Sequence, residues 1–163
     1  MIHVHVVLGR SIKSAVEGEA AMVSYEEYEL ACQKQIERNE MFLEMFERDL
    51  MGAGLSETTI SKHLSNVDFY INTYLLREEP LDMESGCFKI DMFLGYFFIH
   101  KCMWSTPGNI KTTAASIKKY YKCMFENKYV EKNDYNFLCA EIKEHMVEWQ
   151  EDCARFNSEY GYY

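Results

Sequence analysis

A chain of 163 residues, 48% of them hydrophobic and with only two Pro and eight Gly, is long enough to bury one substantial core and too apolar to be disordered. Its formal net charge of −9 repels phosphate and argues against indiscriminate nucleic-acid binding. Six scattered Cys without a C-x-x-C pair give neither a zinc pattern nor a disulfide framework, and predict reduced thiols in a cytoplasmic protein.

Residues 1–21 hold short apolar pieces, Gly9 and Gly18, and no helical stripe, so they read as an N-terminal arm. Their MIHVHVVL run lacks the basic start and A-x-A-like site of a signal peptide. Ser24 with Glu27 three residues on is a capping-box pattern. It predicts a single domain over 22–157 with Met22 as the natural start; a short β-like arm, from the alternation around His3 and His5, is the alternative. A long helix is expected over 25–51, with Tyr28, Cys32, Ile36, Leu43, Phe46 and Leu50 inward, ended by Gly52-Ala53-Gly54. Ser56 can cap a second helix with the stripe Ile60, Leu64, Val67, Ile71, Tyr74 and Leu75, while Ser61, Lys62, Ser65 and Phe69 point away. Arg77-Glu78-Glu79-Pro80 breaks the chain, and 81–87 reads as a loop or single turn.

The stretch 90–104 (IDMFLGYFFIHKCMW) is apolar almost all round and predicts a central buried helix with Phe93, Phe97 and Met103 in the core. Ser105-Thr106-Pro107-Gly108 is a breaker cluster, with Asn109 placed to cap a helix from Ile110. Ile110, Ala114, Ile117, Tyr121, Met124 and Phe125 form its stripe. A last helix carries Phe137, Leu138, Ile142, Met146 and Trp149 and ends near Phe156, leaving 158–163 as a mobile tail. Five helices and no strand pair give an all-α fold.

The concentrated positive feature lies at 100–132, with seven Lys against two Glu, while 24–51 and 133–163 each sum to −5. At ~100° per residue, Lys111, Lys118 and Lys122 line one flank of the apolar stripe, and Thr112, Ser116 and Lys119 fall on the outward face. Two readings stand: a solvated helix face, or a ridge of lysines and small hydroxyls that fits against phosphates. Motifs for phosphate loops, serine or zinc hydrolysis and dinucleotide binding are absent, so neither an enzyme nor a cofactor is expected. The acids Glu141, Glu144, Glu148, Glu151 and Asp152 read as a solvated face and not as a metal site. The most apolar run, 92–99, falls far short of the ~20 residues of a membrane span.

The order of segments carries one resemblance. G-L-S-E-T-T-I-S-K-H-L-S-N-V-D-F-Y-I at 54–71, an apolar helix, then T-P-G-N-I-K-T-T-A-A-S-I-K-K-Y-Y-K-C-M at 106–124 resembles the N-terminal core-binding domain of tyrosine recombinases, the phage-integrase family. The resemblance covers roughly 25–128. It implies a SAM-like four-helix bundle, here with an extra C-terminal helix, that forms half of a clamp around duplex DNA. The implied DNA-facing positions are Ser61, Lys62 and Ser65 on the second helix and Lys111, Thr112, Lys118, Lys119 and Lys122 on the fourth. The catalytic domain of that family has no counterpart here, because only about 35 residues follow the basic helix. The expectation is a non-catalytic module that binds duplex DNA weakly and non-specifically, in partnership with a full-length recombinase or as an accessory to it. The alternative is a helical protein-interaction module that has lost DNA binding.

Overall fold

An apolar stripe on a helix must be covered, and in this chain the stripes cover one another. The computed structural model describes residues 12–161, with side chains over 24–161, and its regular structure is helical throughout. The fold is all-α.

Helix α1 runs Ile12–Gly52. It passes through Ser24 and Glu27, which therefore sit inside a helix and do not start one. Residues 12–21 are helical and not part of an arm: Ala15, Ala20, Ala21 and the glutamates between them are strong helix formers, and they outweigh Gly18. Residues 1–11, with the β-like alternative at His3 and His5, lie outside the described residues. The buried positions of α1 are Asn39, Phe42, Phe46 and Leu50, so this helix docks mainly by its C-terminal third, and Ile36 is exposed. It ends at the glycines as expected, with Gly54 at φ +77, a conformation only glycine adopts without strain.

Ser56 caps α2, its side chain accepting from the Thr59 N–H. The helix runs Glu57–Asp68 and continues as a π-helical stretch, Phe69–Tyr74, closed by Leu75 N–H to the Tyr70 carbonyl. The wider turn changes which residues face inward. Phe69 does not point away: it packs on Phe93, Phe97 and Trp104.

A short 3-10 turn, Glu84–Phe88, leads into α3, the stretch 90–101, made of Ile90–Met92, a π-helical Phe93–Phe97 and Phe98–Lys101. Phe93, Leu94, Phe98 and Ile99 are buried as the sequence suggests. Met103 is not. The chain leaves the helix at Cys102 in an extended conformation, which breaks the stripe and leaves Met103 77% exposed. Met92 and Tyr96 are also exposed, so α3 has an outer face and is not buried all round.

Helix α4 runs Pro107–Glu126. Its cap is Thr106, whose hydroxyl accepts from Asn109 N–H, and Pro107 takes the first turn, where a missing N–H costs nothing. Asn109 is thus inside the first turn and not the cap. Helix α5 runs Lys132–Tyr160 and closes on Gly161 in the left-handed region. It outlasts the expected end near Phe156 because Asn157 is buried and donates to the Ser105 carbonyl (2.8 Å), holding the last turn to the loop before α4. Phe137 is half-exposed and pairs with Phe88.

The core that fixes α4 is aromatic. Tyr120 and Tyr121 are fully buried, Tyr120 edge-on to Phe46 of α1, and Tyr121 donates to the Met83 carbonyl at 2.6 Å. Trp149 of α5 lies against Gly95 of α3, its indole N–H donating to Asp91 Oδ1 at 2.7 Å. All six cysteines are free thiols, and burial pushes those of Cys87, Cys102 and Cys123 up, to about 12, 11 and 11.

Candidate nucleic-acid interface

Helix α4 presents its lysines because its apolar side is fully used. Ile110, Ala114, Ile117, Tyr121 and Met124 are buried against α1, α2 and α5, which turns Lys111, Ala115, Lys118 and Lys122 to solvent. Thr112 and Lys119 are exposed as well, on the flank toward α2. On α2, Ser61, Lys62 and Ser65 are exposed. Each sequence-derived site residue is therefore open to water.

Contacts between the two helices bring these positions into one surface. Ser116 is buried, not outward, because α2 packs over it. Its Oγ donates to the Thr112 carbonyl (3.1 Å), accepts from Asn66 Nδ2 (3.0 Å) and lies 2.7 Å from His63 Nδ1. Phe69, further along α2, meets Trp104, just before α4, so α2 and α4 run antiparallel. One turn before Asn66 stands Lys62, on the same side of α2, and one turn after Ser116 stands Lys119. Lys62, Ser65, Thr112 and Lys119 thus edge the α2–α4 seam, while Lys111, Lys118 and Lys122 lie further round, toward the middle of the open face of α4.

The electrostatics fit an anion. Burial, then the nearby Lys119, lowers the pKa of His63, so at neutral pH this histidine is an uncharged seam residue and adds nothing to the positive ridge. Lys122 has an exposed i,i+4 partner in Glu126 at 3.9 Å, a weak pairing that water screens. Lys62, Lys111, Lys118 and Lys119 have no ion pair among the described residues. Opposing charges border the face: Glu57 and Asp68 on α2 are exposed.

Comparison with family models, with curated proteins and with solved structures gives no match in any of the three.

Two other features bear on chemistry. Ligand atoms of Glu141, Glu144 and His145 on α5 lie within 4.8 Å of one another. Burial opposes the charge on His145, but its bond to Glu148 and the fields of Asp91, Glu141 and Glu144 raise its pKa, so its neighbours already engage it as a cation. The second feature is Trp104, 58% exposed at the end of the seam, which sequence reasoning places inside the buried α3. The signal that marks it is its position directly before the Ser-Thr-Pro-Gly breaker, where a helix stripe no longer applies. No helix among the described residues is long and apolar enough to cross a membrane.

Proposed function

We propose that this chain is a non-catalytic, cytoplasmic DNA-binding module that holds duplex DNA weakly and without sequence choice. The observation that carries the reading is the exposure of Lys62, Lys111, Lys118, Lys119 and Lys122 on adjoining faces of two packed helices, with Ser61, Ser65 and Thr112 among them. Small hydroxyls let a phosphate backbone approach, and the lysines supply affinity by releasing counterions. No arginine joins the ridge, so bidentate base reading has no residue to perform it. An accessory role beside a full-length recombinase, and a SAM-like half-clamp geometry, rest on the sequence resemblance over 25–128.

A second reading, a protein-interaction module, draws on the exposed Phe88–Phe137 pair (5.3 Å between centroids) together with the acidic ends of the chain.

The test is fluorescence anisotropy with a labelled duplex across salt. If the five lysines each meet a phosphate, log K falls against log salt with a slope of ~4.5, and moving from ~50 to ~200 mM weakens binding roughly 500-fold. Replacing Lys111, Lys118 and Lys122 together with Gln leaves a slope of ~1.8 and roughly a tenfold loss over the same range. The variant folds normally because none of the three is buried. Absence of duplex binding by the wild type at low salt, or equal binding by the triple variant, hands the function to the interaction-module reading.

A further inference from the structure

The lysine ridge accounts for phosphates and leaves Trp104 without a role. A tryptophan this exposed usually earns its position by packing or by contact with a partner, and here the packing is partial. Its ring meets Phe69 at 5.8 Å with planes 71° apart, and more than half of the residue stays open. The loop that carries it is held: Asn109 Nδ2 donates to the Trp104 carbonyl at 2.8 Å, and the Asn109 N–H is bound by the Thr106 cap. Two residues after Asn109 comes Lys111, and three before Trp104 comes Lys101, both exposed. Because α2 and α4 are antiparallel, the seam has Trp104 and Phe69 at one end and Lys62 with Lys119 toward the other. Phe69 and Lys62 are seven residues apart, about 10 Å along α2. Between them the open edge is formed by Ser65 and Thr112, which leave room for a strand.

A fixed, open indole at the end of a basic, hydroxyl-lined track is a stacking platform for a nucleobase, and intact duplex offers no free base to stack. We infer that Trp104 binds an unpaired base, so that the preferred ligand of this module is DNA with a single-stranded stretch, whose backbone follows the α2–α4 seam to Lys62 and Lys119. The inference rests on the DNA-binding reading above and narrows the class of DNA. Lysines hold the phosphates of any DNA, whereas Trp104 contributes only where a base is unstacked.

The experiment compares a labelled single-stranded oligo(dT) with a duplex of the same length, at one low salt concentration, for the wild type, Trp104→Ala and Trp104→Phe. Trp104→Ala is expected to weaken oligo(dT) binding on the order of tenfold or more. Duplex binding should stay within about twofold, and Trp104→Phe should recover most of the oligo(dT) affinity because it keeps an aromatic face. Intrinsic fluorescence gives a second readout. The other tryptophan, Trp149, is buried, so oligo(dT) should quench wild-type emission and leave that of Trp104→Phe unchanged. Equal oligo(dT) affinity for the wild type and Trp104→Ala, or a parallel loss on both DNAs, overturns the inference while leaving the lysine reading intact. Failure of the wild type to bind either DNA overturns both.

Discussion

Gly86→Ala is the substitution for which the packing under α4 makes the sharpest demand. A Cβ at this position would lie 2.0 Å from Tyr121 Oη and 3.0 Å from Leu75 Cδ1, both on fully buried side chains. The Tyr121 hydroxyl cannot simply swing away, because it donates to the Met83 carbonyl at 2.6 Å, and the Gly86 carbonyl itself accepts from Tyr70 at 2.5 Å. Overpacking of this kind costs ~1–3 kcal/mol. If Tyr121 gives up its bond, the stranded buried carbonyl adds ~1–3 kcal/mol. Together these give about 2–5 kcal/mol, which for a chain of this size is a fall in Tm of roughly 5–15 °C, measurable by circular dichroism. Tyr121→Phe alone removes the obstructing oxygen and strands the Met83 carbonyl, so it should cost ~1–3 kcal/mol. The two changes share one atom, and the double variant should therefore be more stable than the sum of the singles predicts by well over ~0.5 kcal/mol. A neutral Gly86→Ala, or additivity of the pair, would refute the close approach.

Acid should weaken the α2–α4 seam through His63. Its pKa is lowered by folding, from an ordinary 6.5, so the folded state resists a proton that the unfolded chain accepts. The stability at stake is full above about 6.5 and is lost as pH falls from there through the folded value. Urea unfolding at about pH 7.5 and about pH 5.5 should show a smaller acid loss for His63→Gln than for the wild type; His145, whose shift has the opposite sign, is common to both proteins and cancels. An unchanged acid loss would remove His63 from the account. In α3, Phe93→Ala should cost ~3–5 kcal/mol, because the ring is fully enclosed by Phe69, Tyr70, Tyr74 and Phe98. Met103→Ala should stay within ~0.5 kcal/mol, as a surface change does, and thermal melts of the two variants test the assignment of inner and outer residues.

Local chemistry makes parts of this fold readable in the sequence. The Ser56 cap and the Gly54 stop are each decided within four residues, and the α4 stripe from Ile110 to Met124 is long enough for its period to be unambiguous. The errors have tertiary causes. Ser116 sits at the border of that stripe, and whether a border residue is covered depends on where α2 lies, which α4 alone does not encode. Phe69 changes sides because the helix widens by one residue per turn at that point. Met103 and Trp104 continue an apolar run in sequence, but the chain turns out of the helix at Cys102, and composition cannot register a change of direction. The candidate face is readable in the same measure: its lysines follow from the α4 stripe, whereas its junction with α2 depends on the His63–Ser116–Asn66 contact.

That contact also acts as an alignment key. Apolar helix faces slide against one another at little cost, since one methyl serves much like the next. A bonded set of a hydroxyl, an amide and an imidazole accepts a single register, because a slip of one helical turn, about 5.4 Å, would leave the buried Ser116 and its two α2 partners unmatched. Each group stranded in this way costs ~1–3 kcal/mol. The seam thus indexes α2 to α4 much as a dowel indexes two machined plates, so the spacing between Lys62 on one helix and Lys119 on the other is set from inside the protein, before any ligand arrives.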